Sequence, residues 1–163
     1  MNGSEKSAVS DIYLRALNLL TRRDHTTVEL QRKLAVRGFS ADSITDLLEQ
    51  LTGKGYLDDR RFAERWTEAA IRNGRGYGLR ILQELQKRGI SREIAAEAVA
   101  LSAAEYPEHD SLAAIVSRRF SAFNPASAPL KEKQRVYSYL QRRGFSIRAI
   151  TGFFNTREEE LDR

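Results

Sequence analysis

The sequence predicts an all-α protein in which three tandem three-helix repeats, each with a helix-turn-helix-like pair, form an elongated, curved array. A nearly identical heptapeptide occurs three times, as LAVRGFS (Leu34–Ser40), LQKRGIS (Leu85–Ser91) and LQRRGFS (Leu140–Ser146), and such self-similarity is typical of repeat architectures. Apolar residues flank each copy at the i, i+3, i+4, i+7 spacing of amphipathic helices. No segment shows the sustained apolar–polar alternation, bounded by turn signals, that predicts a strand.

Each heptapeptide combines the residues that end one helix and begin the next. In the first copy, Gly38 suits the left-handed conformation just past a helix C-terminus, where a Cβ is unfavourable. Phe39 is placed to fold back on Leu34, five positions earlier, which is the apolar contact of a Schellman motif. Arg37 lies at the negative end of the helix dipole, and Ser40 is placed to cap the following helix. The other two copies carry the same residue types and predict the same turn.

The first repeat is predicted over residues 10–53, after a polar lead, residues 1–9, that we expect to be disordered. Thr26 and Glu29 have the spacing of a capping box and open the second helix of the repeat. The apolar stripes of its three helices are Tyr13, Ala16, Leu17 and Leu20; Leu30 and Leu34; and Ile44, Leu47, Leu48 and Leu51. These stripes predict the core of the first repeat.

The second and third repeats are predicted over residues 54–105 and 106–155, followed by a charged tail over residues 156–163. Two breaks separate the repeats. The first is TGKG (Thr52–Gly55) and the second is EYP (Glu105–Pro107), both made of residues that interrupt helices.

Apolar stripes also predict the cores of these two repeats, and Asp58 is placed to cap the first helix of the second one. In the second repeat the stripes are Phe62, Trp66 and Ala69 or Ala70; Leu82 and Leu85; and Ile94, Ala98 and Leu101. In the third they are Leu112, Val116, Phe120 and Phe123; Val136 and Leu140; and Ile147, Ile150 and Phe154. A repeat of this size has a thin core of its own, so each is expected to pack on its neighbours.

The composition excludes several classes of protein. The chain has 163 residues and no Cys, which removes disulfides and thiolate metal sites and indicates a reducing cytoplasm. No apolar run reaches the roughly 18 residues of a membrane span, and the polar N-terminus lacks the apolar region of a secretory signal. The net charge of +5 and the pI near 9.7 favour an anionic partner. We therefore expect a cytoplasmic protein that does not bind a membrane. We also expect it to be monomeric when free.

Catalysis finds little support in the sequence. The two histidines, His25 and His109, are far apart and each lies near a predicted helix start, so we interpret them as structural or solvent-exposed. NGRGYG (Asn73–Gly78) superficially resembles a phosphate-binding loop, but it has no preceding strand and no Gly-Lys-Ser/Thr ending. We interpret it as a flexible link between two helices. Without a metal-ligand cluster or a partnered nucleophile, the chain is predicted to be a non-enzyme with no cofactor.

Basic residues indicate where an anionic partner would bind. Between Lys131 and Arg148, in the third repeat, six of them accompany a single acidic residue, Glu132, so pairing within the helix leaves most of them without a partner. The link in the second repeat adds an aromatic residue and further arginines, and two basic residues precede Gly89. The predicted contact residues are Arg72, Arg75, Tyr77, Arg80, Lys87, Arg88, Lys131, Lys133, Arg135, Arg142, Arg143 and Arg148.

Three stretches carry a resemblance to a known family. GYLDDRRFAERWTEAAIRNGRGYGLRILQELQKRGIS (Gly55–Ser91) resembles the signature of the RecX regulatory proteins. LNLLTRRDHTTVELQRKLAVRGF and EKQRVYSYLQRRGFS (Glu132–Ser146) are similar to the parts of that family before and after it. The resemblance covers Ile12 to Phe154, and the middle stretch is its most specific part.

The resemblance implies a function as well as a fold. A RecX-type protein is a modulator, chiefly an inhibitor, of the bacterial recombinase RecA in DNA repair, recombination and the SOS response. It lodges in the groove of the RecA–DNA filament and suppresses its ATPase, strand-exchange and co-protease activities. The family carries no catalytic residues to transfer to this chain. The implied partner is the RecA filament, with a weak, salt-sensitive contact to DNA in addition.

A helix-turn-helix DNA-binding transcriptional regulator is the alternative. Paired helices joined by a glycine-containing turn, with basic residues nearby, fit that class as well. Against it, no dimerisation helix is evident, and the same turn also joins ordinary packed helices. Tight, sequence-specific binding to a duplex operator without RecA would favour this alternative, whereas weak, salt-sensitive DNA binding would not distinguish the two.

Overall fold

The structure is a computed structural model that describes the backbone of residues 3–159 and the side chains of residues 10–155. Every regular element in these residues is an α-helix, which confirms the predicted fold class. The helices are α1 (Gly3–Leu20), α2 (Thr27–Ala35), α3 (Ala41–Gly53), α4 (Asp59–Arg72), α5 (Gly78–Lys87), α6 (Arg92–Glu105), α7 (Glu108–Arg119), α8 (Leu130–Arg142) and α9 (Ile147–Glu159). None of the described helices combines the length and the hydropathy that a membrane crossing requires.

The chain divides into two compact units, and each contains an outer repeat with part of the middle one. The first unit comprises Met1–Ala63 together with Leu85–Ala95. The second comprises Glu64–Glu84 together with Ala96–Arg163. Helices α4, α5 and α6 therefore contribute residues to both units.

The core of the first unit is formed by α1, α2 and α3, which pack on one another. Its buried residues are Ile12, Ala16, Leu30, Leu34, Ile44, Leu47, Leu48, Leu51 and Leu57. The stripes predicted for α2 and α3 are all among them. Because burying one such aliphatic side chain contributes about 1.5–3 kcal/mol, this cluster is the main source of stability in the first unit.

The core of the second unit centres on α9, against which α7 and α8 pack. Leu112, Val136, Leu140 and Ile150 are completely buried there, as their stripes predict. Phe123, which follows α7, is buried as well, and its ring packs at a tilt against the ring of Phe154 in α9.

Two predicted core residues are instead exposed. Leu101 has 57% of its surface accessible and Ile147 has 59%. In α6 the buried face runs through Ala95, Ala98 and Ser102, so Ala98 is buried as predicted, while Ala95 and Ser102 take the places expected for Ile94 and Leu101. A run of alanines in α6 gives little contrast between its faces, which explains the error. Ile147 begins α9 and has no preceding turn of its own helix to cover it.

Helix α1 begins at Gly3, inside the predicted disordered lead (residues 1–9). The prediction of disorder is wrong for residues 3–9, where the backbone is helical. Glu, Lys and Ala in this stretch all favour helix, and no Pro interrupts it. At the other end α9 continues through Glu159 into the predicted tail, and residues 160–163 lie outside the described residues.

The glycines of all three repeated turns have the conformation that their heptapeptides predict, and the second and third turns also form the Schellman hydrogen bond. Gly38, Gly89 and Gly144 adopt φ angles of 86°, 89° and 93°, in the left-handed region. In the second copy the Ile90 N–H donates to the Leu85 carbonyl at 3.1 Å, which closes the predicted Schellman motif. The third copy forms the equivalent bond at 3.3 Å.

The serine of each heptapeptide caps the following helix, as predicted. Ser40, Ser91 and Ser146 each accept a hydrogen bond from the backbone N–H three residues later, at 3.2, 3.2 and 3.1 Å. Asp58 does the same for α4 at 2.9 Å. Each cap satisfies an N–H group that would otherwise lack a partner at the helix start.

In the first unit the turn after α5 packs on the start of α2, and we call this contact the first joint. The Thr26 hydroxyl donates to the Arg88 carbonyl at 2.6 Å while it also accepts from the Glu29 N–H. Arg88 forms an ion pair with Glu29 at 2.7 Å. Gly89 lies so close to Val28 that a Cβ would be within 2.8 Å of its methyl carbons. The turn therefore joins two successive repeats.

In the second unit the turn after α8 packs on the start of α5 in the same way, and this is the second joint. The Tyr77 N–H donates to the Arg143 carbonyl at 2.8 Å, as the Thr26 hydroxyl does to the Arg88 carbonyl. A Cβ on Gly144 would meet the Tyr77 carbonyl and lie 2.6 Å from the Cβ of Arg80. The Phe145 ring stacks on the Tyr77 ring at a centroid distance of 5.3 Å.

The NGRGYG segment belongs to the second joint and is not a flexible link. Gly74 and Gly76 are buried, and the Arg75 N–H donates to the Ala70 carbonyl at 2.8 Å to close the end of α4. The sequence suggested flexibility because glycine-rich segments have few side chains with which to pack. In this segment the backbone at Gly74 and Gly76 is itself buried, and a Cβ at either position would meet a neighbouring side chain.

Candidate partner-binding surface

The structure describes all twelve predicted contact residues and places them in both units. Lys87 and Arg88 belong to the first unit. The second unit holds Arg72, Arg75, Tyr77, Arg80, Lys131, Lys133, Arg135, Arg142, Arg143 and Arg148. Most of these side chains are exposed, whereas Arg88, Lys133 and Arg143 are half-buried.

Tyr77 differs from the other eleven because it is buried, with 6% of its surface accessible. Its hydroxyl donates to the Tyr106 carbonyl at 2.7 Å, and its ring is covered by Phe145. Burial raises the pKa of Tyr77, and the negative charge of Glu108 adds to the increase. The hydroxyl therefore stays protonated and keeps donating, so the side chain stabilises the second joint.

Three of the predicted arginines are held by glutamates. Arg72 and Arg80 pair with Glu68 at 3.1 Å and Glu84 at 2.7 Å, each on its own helix. Arg88 is engaged in the first joint. Exposed pairs of the i, i+4 type contribute only a few tenths of a kcal/mol, so a partner can displace them at little cost.

Four of the predicted contact residues in the third repeat differ from these arginines. Lys131, Arg135, Arg142 and Arg148 are exposed, and none of them forms an ion pair with the residues whose side chains are described. The positive charges of these four side chains are therefore not balanced by ion pairs within the described part of the chain. An anionic partner would meet little competition there.

Four arginines of the second unit line one pocket of about 300 Å³, which we call the arginine pocket. Its remaining lining comes from Asn73, Gly74, Ile115 and Tyr139. The arginines are Arg75, Arg118, Arg119 and Arg143. No carboxylate lines the pocket, and none of the four forms an ion pair within the described part of the chain.

Tyr139 organises two of these arginines. The guanidinium carbons of Arg119 and Arg143 each lie 5.1 Å from the centroid of the Tyr139 ring. Arg143 also donates to the Arg75 carbonyl at 2.9 Å. Cation–π contacts and backbone hydrogen bonds restrain these long side chains, which reduces the entropy lost when a ligand binds.

Arg118 is held against the turn that ends α4. It donates to the Arg72 carbonyl at 3.4 Å, and one of its terminal nitrogens occupies the space that a Cβ on Gly74 would fill. Gly74 itself has a φ of 63°. The glycine therefore allows both the turn and the close approach of the guanidinium.

Sequence reasoning identified Arg75 and Arg143 of the pocket but missed Arg118 and Arg119. The only signal in the sequence is that these two arginines are adjacent in the last turn of α7. Basic residues at that position are also expected simply because they complement the helix dipole. Only the fold shows that this helix end lies against the turn after α4.

A second cavity, of about 580 Å³, lies along the second joint. Phe145 forms part of its lining, and the exposed side chains of Leu79 and Ile147 border it. Arg142 contributes positive charge to the same cavity. We call it the joint groove; it combines apolar surface with the charged side chains of Arg80, Arg142 and Glu108.

His25 is buried near the start of α2, with 3% of its surface accessible. Its Nδ1 lies 2.9 Å from the Arg23 carbonyl, which can only accept, so Nδ1 carries the proton in the neutral ring. Nε2 has no hydrogen-bond partner among the described residues. Burial is the main cause that lowers the pKa of His25 below 6.5, and the positive charges of Arg23 and Lys33 act in the same direction. The structural role predicted for His25 is thus supported by its position.

We expect His25 to make the protein less stable as the pH falls from 7 to 5. The unfolded chain takes up a proton near pH 6.5 while the folded state resists it, so unfolding becomes more favourable by up to about 1.4 kcal/mol per pH unit. Urea unfolding at several pH values checks this. His25→Phe should flatten the dependence on pH, whereas the exposed His109→Gln should leave it in place. An equal slope in His25→Phe and the unaltered protein would contradict the assignment.

No group of three or more His, Asp or Glu side chains suited to a metal ion occurs among the described residues.

Comparisons with known proteins agree with this architecture. Family models described as the first, second and third three-helix domains of RecX match residues 13–51, 58–99 and 107–153. The chain is 39% identical over 154 residues to "Regulatory protein RecX" of Trichlorobacter lovleyi, covering 94% of this chain and 99% of that protein. It is 38% identical over 164 residues to the protein of the same name in Halorhodospira halophila, covering 99% and 95%.

Solved structures give the same result for the fold. The crystal structure of RecX from Lactobacillus salivarius superposes with a TM-score of 0.73 at 23% identity, over 96% of this chain and 98% of that one. A second crystal structure of regulatory protein RecX superposes with a TM-score of 0.75 at 21% identity, over 93% and 75%. At sequence identities of 23% and 21%, these two superpositions show that the fold is shared.

Proposed function

We propose, from the premise that the chain belongs to the RecX family of regulatory proteins, that it binds the RecA nucleoprotein filament and inhibits its activities in DNA repair and the SOS response. The observation that carries the proposal is the ordered match of three RecX domain models along the chain. The activities concerned are DNA-dependent ATP hydrolysis, strand exchange and co-protease action. The protein acts in the cytoplasm as a binding partner without catalysis of its own.

The unbalanced charge of the third repeat supports a contact with an anionic filament. Lys131, Arg135, Arg142 and Arg148 are exposed, and basic groups of this kind accelerate association with acidic surfaces and with DNA phosphates. Repeats that each make a weak contact gain affinity through their linkage, because every later contact is intramolecular. Arg75 and Lys87 are proposed as further contacts, while Tyr77 stabilises the second joint.

The helix-turn-helix alternative receives less support from the two joints. Gly89 and Gly144 pack against the preceding repeat, so these turns have a packing role that requires no DNA. A regulator of that class would bind one duplex sequence tightly in the absence of RecA. Filter binding to random duplexes, followed by sequencing of the retained fraction, would detect such a preference.

The direct test is ATP hydrolysis by RecA on single-stranded DNA at low salt. The protein is expected to lower the steady-state rate at amounts below one molecule per RecA protomer. Arg135→Glu with Arg142→Glu, on one face of α8, should weaken this inhibition roughly tenfold, because two favourable contacts become repulsive and each contributes up to about 1 kcal/mol. This double variant leaves the buried residues of α8 unchanged.

A matched control comes from the first unit, where Arg32 in α2 and Arg37 in the turn after it are also exposed. Arg32→Glu with Arg37→Glu changes the net charge by the same amount and is expected to inhibit nearly as well as the unaltered protein. An unchanged ATPase rate with the unaltered protein would exclude the proposed function. Equal loss in both double variants would show that total charge, and not the third repeat, determines the contact.

A further inference from the structure

We infer that the arginine pocket is a binding site for closely spaced phosphate groups, as presented by a nucleic-acid strand. The arginines concerned are Arg75, Arg118, Arg119 and Arg143. The assignment deepens the proposed function and rests on it for the source of the strand, namely the DNA inside the filament. The pocket itself is defined by contacts within the second unit.

The charge of the pocket is concentrated and uncompensated. Four guanidinium groups line a volume of about 300 Å³, without a carboxylate in its lining. Like charges this close repel one another, and the repulsion is relieved when an anion enters. Guanidinium groups bind phosphate through two parallel hydrogen bonds, for which their planar shape is suited.

The geometry of the pocket is prepared before a ligand arrives. Arg143 is anchored on the Arg75 carbonyl and on the Tyr139 ring, and Arg119 lies over the same ring. Arg118 is anchored on the Arg72 carbonyl and against Gly74. Each anchor uses only part of a guanidinium, which has five N–H donors, so donors remain for phosphate oxygens.

The pocket is suited to the phosphates of a strand rather than to its bases. Two guanidinium groups already lie over Tyr139, and the Phe120 and Tyr139 rings meet in a T-shaped contact with their centroids 5.2 Å apart. A base that stacked on Tyr139 would have to compete with these contacts. Binding should be independent of base sequence and strongly dependent on salt.

The test measures binding of the full chain to a fluorescently labelled oligothymidylate without RecA. Arg118→Gln with Arg119→Gln should weaken binding at least tenfold and reduce the slope of log K against log salt by about 1.4, since each phosphate contact on a single strand contributes about 0.7. Arg32→Gln with Arg37→Gln removes the same charge from the first unit and should change affinity less than threefold. Thermal melting of both variants verifies that they are folded.

A charge-conserving variant separates geometry from charge. Arg118→Lys with Arg119→Lys keeps both positive charges but loses the planar pair of donors, so its affinity should fall between those of the Gln variant and the unaltered protein. Full affinity in the Lys variant would show that positive charge alone determines binding and that the planar guanidinium groups are not needed. Equal weakening in the Gln variant and the first-unit control would overturn the assignment altogether.

Competition identifies the source of the phosphate groups. Unlabelled oligothymidylate should displace the probe at lower concentration than tripolyphosphate, because a strand continues beyond the pocket. Displacement by tripolyphosphate at equal or lower concentration would assign the pocket to free polyphosphates such as nucleotides. Equal displacement by an oligoglutamate peptide would overturn the preference for phosphate. Because RecA is absent from this experiment, its failure and a failure of the proposed function are distinguishable.

Discussion

Gly89→Ala and Gly144→Ala are expected to lower the melting temperature more than Gly38→Ala, although all three replace the same residue of the repeated heptapeptide. Each substitution places an alanine in the left-handed region, which costs about 1 kcal/mol. Gly38 has open space where the Cβ would lie, so no further cost arises. At Gly89 the new Cβ would meet Val28, and at Gly144 it would meet the backbone carbonyl of Tyr77.

The two joint substitutions therefore add overpacking to backbone strain, which contributes about 1–3 kcal/mol more. Since 1 kcal/mol corresponds to about 2–4 °C for a chain of this length, Gly38→Ala should cost about 2–4 °C and the joint variants about twice that or more. Circular dichroism at 222 nm during heating measures these shifts. Gly144→Ala should be the most severe, because the backbone cannot move aside as a side chain can.

A double-mutant cycle isolates the first joint from the general strain. Val28→Ala removes the two methyl carbons that the new Cβ would meet but keeps the Val28 Cβ, which would be its nearest neighbour. It should therefore restore Gly89→Ala only in part, while leaving Gly38→Ala unaffected. A coupling energy near zero between Val28 and Gly89, or equal melting shifts for all three glycine variants, would contradict the close contact.

The heptapeptide shows how much of the fold its sequence determines. The left-handed glycines, the serine caps and the return of Ile90 to Leu85 are local, and each depends on residues fewer than six positions apart. Local patterns of this kind were predicted correctly because the backbone conformation of a turn is largely set by its own residues. Most residues of the helical stripes in the outer repeats were predicted for the same reason, with Ile147 as an exception.

The joints were not predictable from the heptapeptide alone. The Thr26 hydroxyl caps its own helix and also donates a hydrogen bond to the carbonyl of Arg88, sixty-two positions later. Only the capping role is evident from the sequence pattern of the capping box. In the same way, Gly144 appears identical to Gly38, yet only Gly144 packs against another repeat. Contacts between repeats depend on how helices assemble, for which a single sequence carries no local signal.

The candidate site was predicted in part for a related reason. Clustering of basic residues in sequence identified the third repeat and the segment after α4. It did not identify Arg118 and Arg119, because these belong to a helix whose other features are those of an ordinary amphipathic element. It also selected Tyr77, since an aromatic residue among arginines is typical of a contact surface, although burial of this ring stabilises the fold.

Tyr77→Ala is expected to destabilise the protein by about 3–5 kcal/mol, the range for truncating a buried aromatic side chain. It removes the stack on Phe145 and the hydrogen bond to the Tyr106 carbonyl in a single change. Tyr77→Phe keeps the ring and should cost only about 1 kcal/mol, for the lost hydrogen bond. Tyr56→Ala provides the control, because Tyr56 is 54% exposed and its truncation should stay within about 0.5 kcal/mol.

The same variants distinguish a stabilising role of Tyr77 from a direct contact with a partner. If Tyr77 acts only within the second joint, Tyr77→Phe should inhibit RecA ATPase as well as the unaltered protein at a temperature where both are folded. Its urea midpoint should nevertheless be lower, since the Tyr106 carbonyl loses its donor. The reverse pattern, with unchanged stability and weakened inhibition, would mean that the hydroxyl reaches the partner and that the second joint opens on binding. Measuring both quantities on one preparation of each variant separates the two roles.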